Sequence, residues 1–188
     1  MVKSMTGFKI AVLAANGFDE KDLTLAQRAL VDAGASVKIV STDQGLVNGW
    51  DGRGWGHNYA VDAQINTALG VDYDALVLPG GQRSLDKLKL TAHTKRFIGS
   101  FMAAMKPVAV MGEALQLMAD AAHLADRKVA GPDFCRARVE EAGGTWSGED
   151  VCIDHALISG ACDAETKEAF VQAMAAHFER HMALSEAA

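Results

Sequence analysis

The sequence lacks clusters of basic residues. Its net charge at pH 7 is -6, and neither terminus carries a run of Lys or Arg. Nonspecific binding to nucleic acids depends on Lys and Arg side chains that neutralise phosphates. We therefore expect no nucleic-acid partner, and the same charge balance disfavours contact with anionic membranes.

Long hydrophobic runs are also absent. The amino-terminal stretch MVKSMTGFKIAVLAANG contains a short apolar run that ends at Asn16, with no basic cluster ahead of it. Such a run is too short to span a bilayer, and no clear signal-peptide cleavage pattern accompanies it. We predict a cytoplasmic protein that has no membrane partner.

Cysteine is scarce and its spacing is irregular. The three cysteines are Cys135, Cys152 and Cys162, and no C-x-x-C pair occurs. An odd number at uneven spacings argues against a disulfide framework and against a zinc site. We expect reduced thiols.

Histidine offers no complete metal site either. His177 and His181 are four residues apart in the last predicted helix, but two ligands leave a metal site incomplete. We place both on a solvated helix face and predict no metal and no other cofactor.

What the sequence does contain is an alternation of short apolar runs and helical patterns. At 188 residues, with 49% apolar and 22% charged residues, the chain fits one globular domain over residues 1–188. Strands are predicted at Lys9–Ala14, Val37–Ser41, Ala75–Leu78, Val108–Met111, Val151–Ile153 and Leu157–Ser159. Helices are predicted at Lys21–Ala33, His93–Met105, Ala114–Ala122, Phe134–Ala142 and Glu165–Ala183. Continuous apolar strands with crossover helices indicate an α/β sandwich with a mostly parallel sheet.

One segment interrupts this alternation. Residues 45–65 read GLVNGWDGRGWGHNYAVDAQI and combine closely spaced glycines with Trp50, Trp55 and Tyr59. The segment is too rich in glycine for a helix and too aromatic for a disordered linker. We predict a β-hairpin excursion at a sheet edge, with His57 able to reach a pocket if the hairpin folds over it.

Three loops follow predicted strands, and ligands of open parallel sheets bind beyond the carboxyl ends of strands. The first is AANGFDEKDL, in which Asp19, Glu20 and Asp22 crowd the start of a helix. Acids there cap the helix and complement its dipole. The alternative is that one of them carries protons in a site, and capping is the favoured interpretation.

The second loop contains Pro79, Gly80 and Gly81 after a buried strand. Two glycines let the backbone turn sharply and leave amide N–H groups free to face an anion or a developing oxyanion. A tight turn without any ligand is the simpler alternative, and the tripeptide alone does not distinguish the two.

The third loop is the strand-to-helix turn in PVAVMGEALQL, where α/β enzymes often place a nucleophile. Here Met111, Gly112 and Glu113 form the turn, without a hydroxyl or a thiol. If the turn is a former nucleophile elbow, Gly112 should have a positive φ, which glycine adopts with little penalty.

These three loops, in this order and spacing, resemble the ThiJ/PfpI superfamily, flavodoxin-like relatives of class I glutamine amidotransferases. The resemblance extends to the tryptophan-bearing hairpin and implies a flavodoxin-like three-layer fold and protease or deglycase chemistry. It places Gly112 where the family has Cys, Glu113 where it has His, and Asp19 where it has an acid. The family's TSR motif corresponds to Ser159 and Gly160, without the Arg. A similar elbow occurs in the noncatalytic carboxyl-terminal domain of large catalases.

The favoured hypothesis is a noncatalytic module for small-ligand binding or oligomerisation. Its pocket is formed by Asn16–Asp19, Gly80–Gly81 and Gly112–Glu113, and its expected ligand is a small anion or carbonyl compound. The first alternative is an enzyme of altered hydrolase or hydratase type, in which Asp19 and Glu113 form a carboxylate pair with separated pKa values.

The second alternative retains the family's cysteine chemistry through a displaced thiol, for which Cys135 and Cys162 are the candidates. Each lies outside the elbow, and buried structural cysteine is the commoner role. Under all three hypotheses we expect a homodimer, because a tryptophan-rich hairpin would otherwise expose a large apolar surface.

Overall fold

The elements alternate along the chain as the sequence predicts. The structure is a computed structural model that describes residues 4–188. Its strands are β1 Lys9–Leu13, β2 Phe18–Asp19, β3 Ser36–Ser41, β4 Leu46–Trp50, β5 Trp55–Ala60, β6 Ala63–Gln64, β7 Ala75–Leu78, β8 Val108–Met111, β9 Lys128–Val129, β10 Thr145–Trp146, β11 Val151–Asp154 and β12 Leu157–Gly160. Its α-helices are α1 Glu20–Asp32, α2 Gln82–Leu88, α3 Ala92–Ala103, α4 Leu115–Asp120, α5 Arg136–Glu141 and α6 Lys167–Glu186.

A seven-stranded sheet forms the middle layer in the order β11-β12-β8-β7-β1-β3-β6. All neighbours in it are parallel except β11, which pairs antiparallel with β12. This arrangement confirms the predicted α/β fold with a mostly parallel sheet.

The sheet is buried on both faces, which explains its continuous apolar strands. In β1, Ile10 and Val12 belong to the core cluster that also contains residues of α1 and α6. Their neighbours Ala11 and Leu13 belong to the cluster on the other face, with residues of α2 to α5. Successive side chains of a strand point to opposite faces, so both faces need apolar residues.

The structure adds one helix and shortens two others. Helix α2, Gln82–Leu88, was not predicted, since only Ser84, Leu85 and Leu88 of its seven residues are buried. Helices α4 and α5 each begin with a 3₁₀ turn, so the regular part of each is shorter than its apolar pattern.

The predicted hairpin exists, but its position differs from the prediction. Strands β4 and β5 pair antiparallel, and β4 pairs in parallel with β2 in a separate three-stranded sheet. The edge strands of the main sheet are instead β6 and β11. The short strand β2 lies between β1 and α1 in the sequence, and its pairing with β4 joins the hairpin to the first loop.

The turn after β8 has the backbone expected of an elbow. Gly112 has φ +56°, which confirms the predicted positive value. A Cβ built on Gly112 would lie 3.2 Å from the carbonyl oxygen of Ala161.

Within residues 4–188, no helix is long and apolar enough to cross a membrane.

Gly112→Ala should therefore destabilise the protein by about 1–3 kcal/mol, because alanine is strained at positive φ. Urea denaturation of both proteins at neutral pH measures this difference. Gly54→Ala is the matched control, since Gly54 does not have a positive φ and a Cβ there meets nothing within 4 Å. Equal stabilities of the two variants would contradict the strain argument.

Candidate functional site

The three loops meet at the carboxyl ends of β1, β7 and β8. The amide of Asp19 donates to the carbonyl of Gly80 at 2.8 Å. The amide of Gly81 donates to Glu113 Oε1, also at 2.8 Å. The first loop thus contacts the second, and the second contacts the elbow.

Asp19 acts as the N-cap of α1. Its Oδ1 accepts from the amide of Asp22 at 2.9 Å and lies 3.2 Å from Lys167 Nζ. Its side chain is 37% exposed and also borders a cavity. The capping interpretation therefore describes this carboxylate, and the same group remains within reach of a ligand.

Asp22 is the buried acid of the site, and it is not among the predicted site residues. The residue is only 2% exposed. Its Oδ2 accepts from the amide of Gly80 at 2.8 Å, and its Oδ1 lies 2.6 Å from Lys167 Nζ. A charged residue on the buried side of α1, next to Leu23 and Ala26, was the available signal.

Lys167 had no comparable signal in the sequence. It is the first residue of α6 and is 8% exposed, so its ammonium lies inside the protein. It contacts Asp19 and Asp22 together. A buried ammonium needs such partners, because its desolvation is costly without them.

The pKa values in this cluster follow from burial and mutual charge. Desolvation by burial, followed by the charge of Asp19, raises the pKa of Asp22 to about 6, although Lys167 opposes the rise. Desolvation alone would lower the pKa of Lys167, but attraction to Asp22 and Asp19 outweighs it and raises that pKa. At neutral pH the cluster holds an ammonium and an Asp22 carboxylate close to its titration range.

Glu113 separates two cavities. One, of about 510 Å³, is bordered by Trp146, Phe134 and Cys162; the other, of about 400 Å³, is bordered by Asp19 and the hairpin. Glu113 lines both. A ligand in either cavity would therefore meet the residue that follows the elbow glycine.

Glycine at position 80 lets two carboxylates approach the same turn. A Cβ built on Gly80 would lie 3.0 Å from both Asp22 Oδ2 and Glu113 Oε2. The carboxylate that approaches Glu113 at this turn is thus Asp22. The predicted pair of Asp19 and Glu113 shares the smaller cavity.

The glycine amides are already engaged. Those of Gly80 and Gly81, which are free to face an anion in one of the two interpretations of this loop, donate to Asp22 and Glu113 of the chain itself. Anionic groups do occupy these positions, and they are side chains of the protein.

Three predicted ligand-binding residues, Asn16, His57 and Gly80, lie away from the walls of the two cavities. Asn16 Oδ1 accepts from the amide of Asn48 at 2.7 Å, which joins the first loop to the hairpin. His57 is 86% exposed at its side chain, and its Nδ1 contacts Glu20. Asn16 and His57 use these polar atoms to attach the hairpin to the first loop and to Glu20.

Glu20 is the attachment point of the hairpin. It accepts from the hydroxyl of Tyr59 at 2.9 Å and from the amide of His57 at 3.1 Å. Burial would raise the pKa of Glu20, but hydrogen bonds from His57 and Tyr59 outweigh it and lower that pKa. An ionised Glu20 therefore stabilises the hairpin beside the site.

The three cysteines are free and buried. Burial raises the pKa of Cys135 to about 11 and also raises that of Cys152. Cys162 borders the larger cavity, and burial, followed by the charge of Asp22, raises the pKa of its thiol. These thiols stay protonated at neutral pH, whereas the thiolate is the reactive form.

The helix-face prediction for the histidines is wrong for His177. This residue is 6% exposed, and its Nε2–H donates to the carbonyl of Ala156 at 3.0 Å. Burial lowers its pKa. In the part of the chain from residue 4 onward, no group of three or more His, Cys, Asp or Glu is arranged to hold a metal ion.

Close packing around Gly160 leaves no space for a side chain. A Cβ there would lie 2.5 Å from Cδ2 of Phe170 and 2.8 Å from the carbonyl oxygen of Asp150. The space next to β12 is filled by α6, so an arginine does not fit at this position.

The cluster predicts an unusual pH dependence. Because the pKa of Asp22 rises from 3.8 to about 6 on folding, the folded protein keeps a proton that the unfolded chain has lost. The free energy of unfolding should therefore fall as pH rises through this window, relative to Asp22→Asn, which cannot titrate. Urea denaturation of both proteins across the window measures the two slopes, and parallel slopes would contradict the shifted pKa.

Sequence comparison identifies relatives of this chain. The sequence model of the DJ-1/PfpI family matches residues 8–177. General stress protein 18 from Bacillus subtilis is 31% identical over 160 residues, which cover 84% of this chain and 91% of that protein. Deglycase PfpI from Pyrococcus furiosus is 28% identical over 151 residues, covering 80% and 88% of the two chains.

The fold also matches solved structures. The ThiJ/PfpI domain protein from Brachyspira murdochii superposes with a TM-score of 0.82 at 20% identity, covering 94% of this chain and 98% of that one. These matches confirm the resemblance that the three loops carry, and the chain belongs to the DJ-1/PfpI family.

Proposed function

We propose that this protein binds a small molecule at the elbow and has lost the cysteine chemistry of its family. The observation that carries the proposal is the elbow itself: Gly112 has φ +56° and brings neither a hydroxyl nor a thiol to the turn. The positive φ keeps the shape of a nucleophile elbow, while covalent catalysis needs a nucleophile that glycine lacks.

The names of the relatives suggest the activity that would be missing. They include deglycases and a putative cysteine protease from Bacillus subtilis. By the resemblance, such chemistry uses a Cys-His pair at positions 112 and 113, where this chain has Gly and Glu. The remaining thiols are poor substitutes because their raised pKa values keep them protonated.

Two cavities beside the elbow remain available for binding a small molecule. Two cavities of about 510 and 400 Å³ meet at Glu113, and both have aromatic residues at their borders. Concave sites in which a few fixed polar groups orient the ligand are typical of small-molecule binding. Their place beyond the carboxyl ends of the strands is the usual one for this type of fold.

A second candidate function is proton transfer without a covalent intermediate. Asp22 favours it, because a pKa of about 6 lies near the value that suits a general acid or base at neutral pH. The pair would then be Asp22 and Glu113, which approach the same turn at Gly80. A hydratase or a lyase would use such a pair.

A variant without cysteine tests the first proposal. Replacing Cys135, Cys152 and Cys162 by Ser should leave ligand affinity unchanged within about twofold, since no thiolate takes part. Deglycase and peptidase assays should show no turnover, with Deglycase PfpI measured in parallel as the active comparator. Turnover that disappears in the cysteine-free variant would instead assign the family's chemistry to a displaced thiol.

Turnover that survives in the cysteine-free variant and disappears in Asp22→Asn would favour the proton-transfer function. Binding without turnover in all variants is the result expected for a noncatalytic module.

A homodimer is part of the same proposal. The hairpin exposes Leu46 to 55% and Trp55 to 56%, and such apolar surface favours association. Light scattering at micromolar concentration should give about twice the mass of one chain, and Leu46→Lys should shift the mass toward the monomer. A monomeric wild-type protein would contradict this expectation.

The cytoplasmic location also stays a prediction.

A further inference from the structure

Arg83 occupies an unusual position beside the smaller cavity. It lies in α2, directly after the Pro-Gly-Gly loop, and its guanidinium carbon is 4.5 Å from the ring centroid of Trp50. The ring of Trp55 is 5.7 Å from the same carbon. The planar head of the arginine is thus held by both tryptophans of the hairpin.

The stem of the same side chain is held by the first loop. A Cβ built on Gly17 would lie 2.4 Å from the Cβ of Arg83, so only glycine lets the two segments approach this closely. Contacts at both ends restrict the rotamers of the arginine. Because the side chain is already restricted, ordering it on ligand binding costs less conformational entropy.

The guanidinium has no acceptor within the protein. Among residues 4–188 its contacts are with aromatic rings, and no hydrogen bond or ion pair engages its N–H groups. Lys21, another residue of the same cavity, likewise has no carboxylate partner in this part of the chain. Two cations therefore border the cavity without a counterion.

The acids of this cavity are all engaged. Asp19 accepts from Lys167 and from a backbone amide. Asp51 Oδ1 accepts from two backbone amides at 2.8 Å. Glu113 accepts from the amide of Gly81. Among the described residues, the charged side chains of this cavity without any hydrogen bond or ion pair are those of Arg83 and Lys21. These two cations favour an anionic ligand despite the acids nearby.

We propose that Arg83 is the anchor for an oxyanion, the carboxylate or phosphate group of a small molecule bound in the cavity between the hairpin and Glu113. Arginine presents N–H groups in a planar fork that fits both oxyanions, and stacking on Trp50 leaves the edge of that fork available. This inference rests on the proposed binding function and names the ligand class of the cavity.

The indole N–H signals of the three tryptophans give a direct test. The ¹⁵N-labelled protein is titrated with acetate, with inorganic phosphate and with uncharged acetamide. Acetate or phosphate should shift the signals of Trp50 and Trp55 in a saturable way. Trp146, which borders the other cavity, should not respond and serves as an internal control.

Three variants assign the effect to Arg83. Arg83→Ala should weaken binding about tenfold, the size expected for loss of a charge-assisted hydrogen bond. Arg83→Lys should weaken it less, because the charge remains but the planar fork is lost. Arg53→Ala, in the exposed turn of the same hairpin, should leave affinity unchanged. Unfolding curves of the variants show whether each is folded.

The outcomes distinguish a carboxylate ligand from a phosphate ligand. They also distinguish failure of Arg83 as the anchor from failure of the proposed binding function. Tighter binding of acetate identifies a carboxylate, and tighter binding of phosphate identifies a phosphate ester. Equal losses in Arg53→Ala and Arg83→Ala, equal shifts with acetamide, or no shift at all would overturn the anchor. Shifts of the Gly81 amide by acetamide, unchanged in Arg83→Ala, would overturn the anchor while leaving the binding function intact.

Discussion

The buried contact between Asp22 and Lys167 connects the parts of the site. Through Asp22 the helix α1 binds the amide of Gly80, and through Lys167 the same carboxylate binds the start of α6. A single buried anion therefore fixes the first loop, the Pro-Gly-Gly loop and the last helix relative to one another. Removing either partner would leave a buried charge, which is far more costly than losing a surface ion pair.

This contact also changes how the glycine amides can act. In an open site, the N–H groups of Gly80 and Gly81 would be available to a substrate oxygen. Here Asp22 and Glu113 accept from them, so the chain supplies its own anions. A site arranged in this way has partners for its amides and has no nucleophile at Gly112. Among the described residues, the cationic donors of this site that have no acceptor are Arg83 and Lys21, which border the cavity beside the hairpin.

The hairpin consequently belongs to the site, although it lies outside the main sheet. Glu20 attaches it through His57 and Tyr59, and its tryptophans position Arg83. The residue after Asp19 thus serves the hairpin, while Asp22 serves the elbow. Neighbouring acids in one short loop have separate structural tasks, which depend on the direction of each side chain on α1.

Much of the fold could be predicted because its signals are local. Continuous apolar runs indicate strands buried on both faces, and glycines after β7 and β8 mark where the chain turns. The positive φ of Gly112 followed from the same reasoning. The short helix α2 escaped prediction, since few of its residues are buried and its pattern is weak.

The acidic loop and the position of the elbow could be predicted, because both follow strands in the sequence. The partners of the acids could not. Asp19 and Lys167 are 148 residues apart, and nothing in the local sequence around Lys167 indicates a buried ammonium. Likewise, the pattern around Asn16 and His57 did not reveal that their polar atoms attach the hairpin.

The sequence by itself thus determined the α/β fold, the family resemblance and the glycine at the elbow. The tertiary structure alone decided which acid is buried, which amides are satisfied and that the guanidinium of Arg83 lies against the tryptophans of the hairpin. The physical reason is that strand and turn preferences act between near neighbours, whereas the charge state and hydrogen bonding of a side chain depend on residues that only folding brings together.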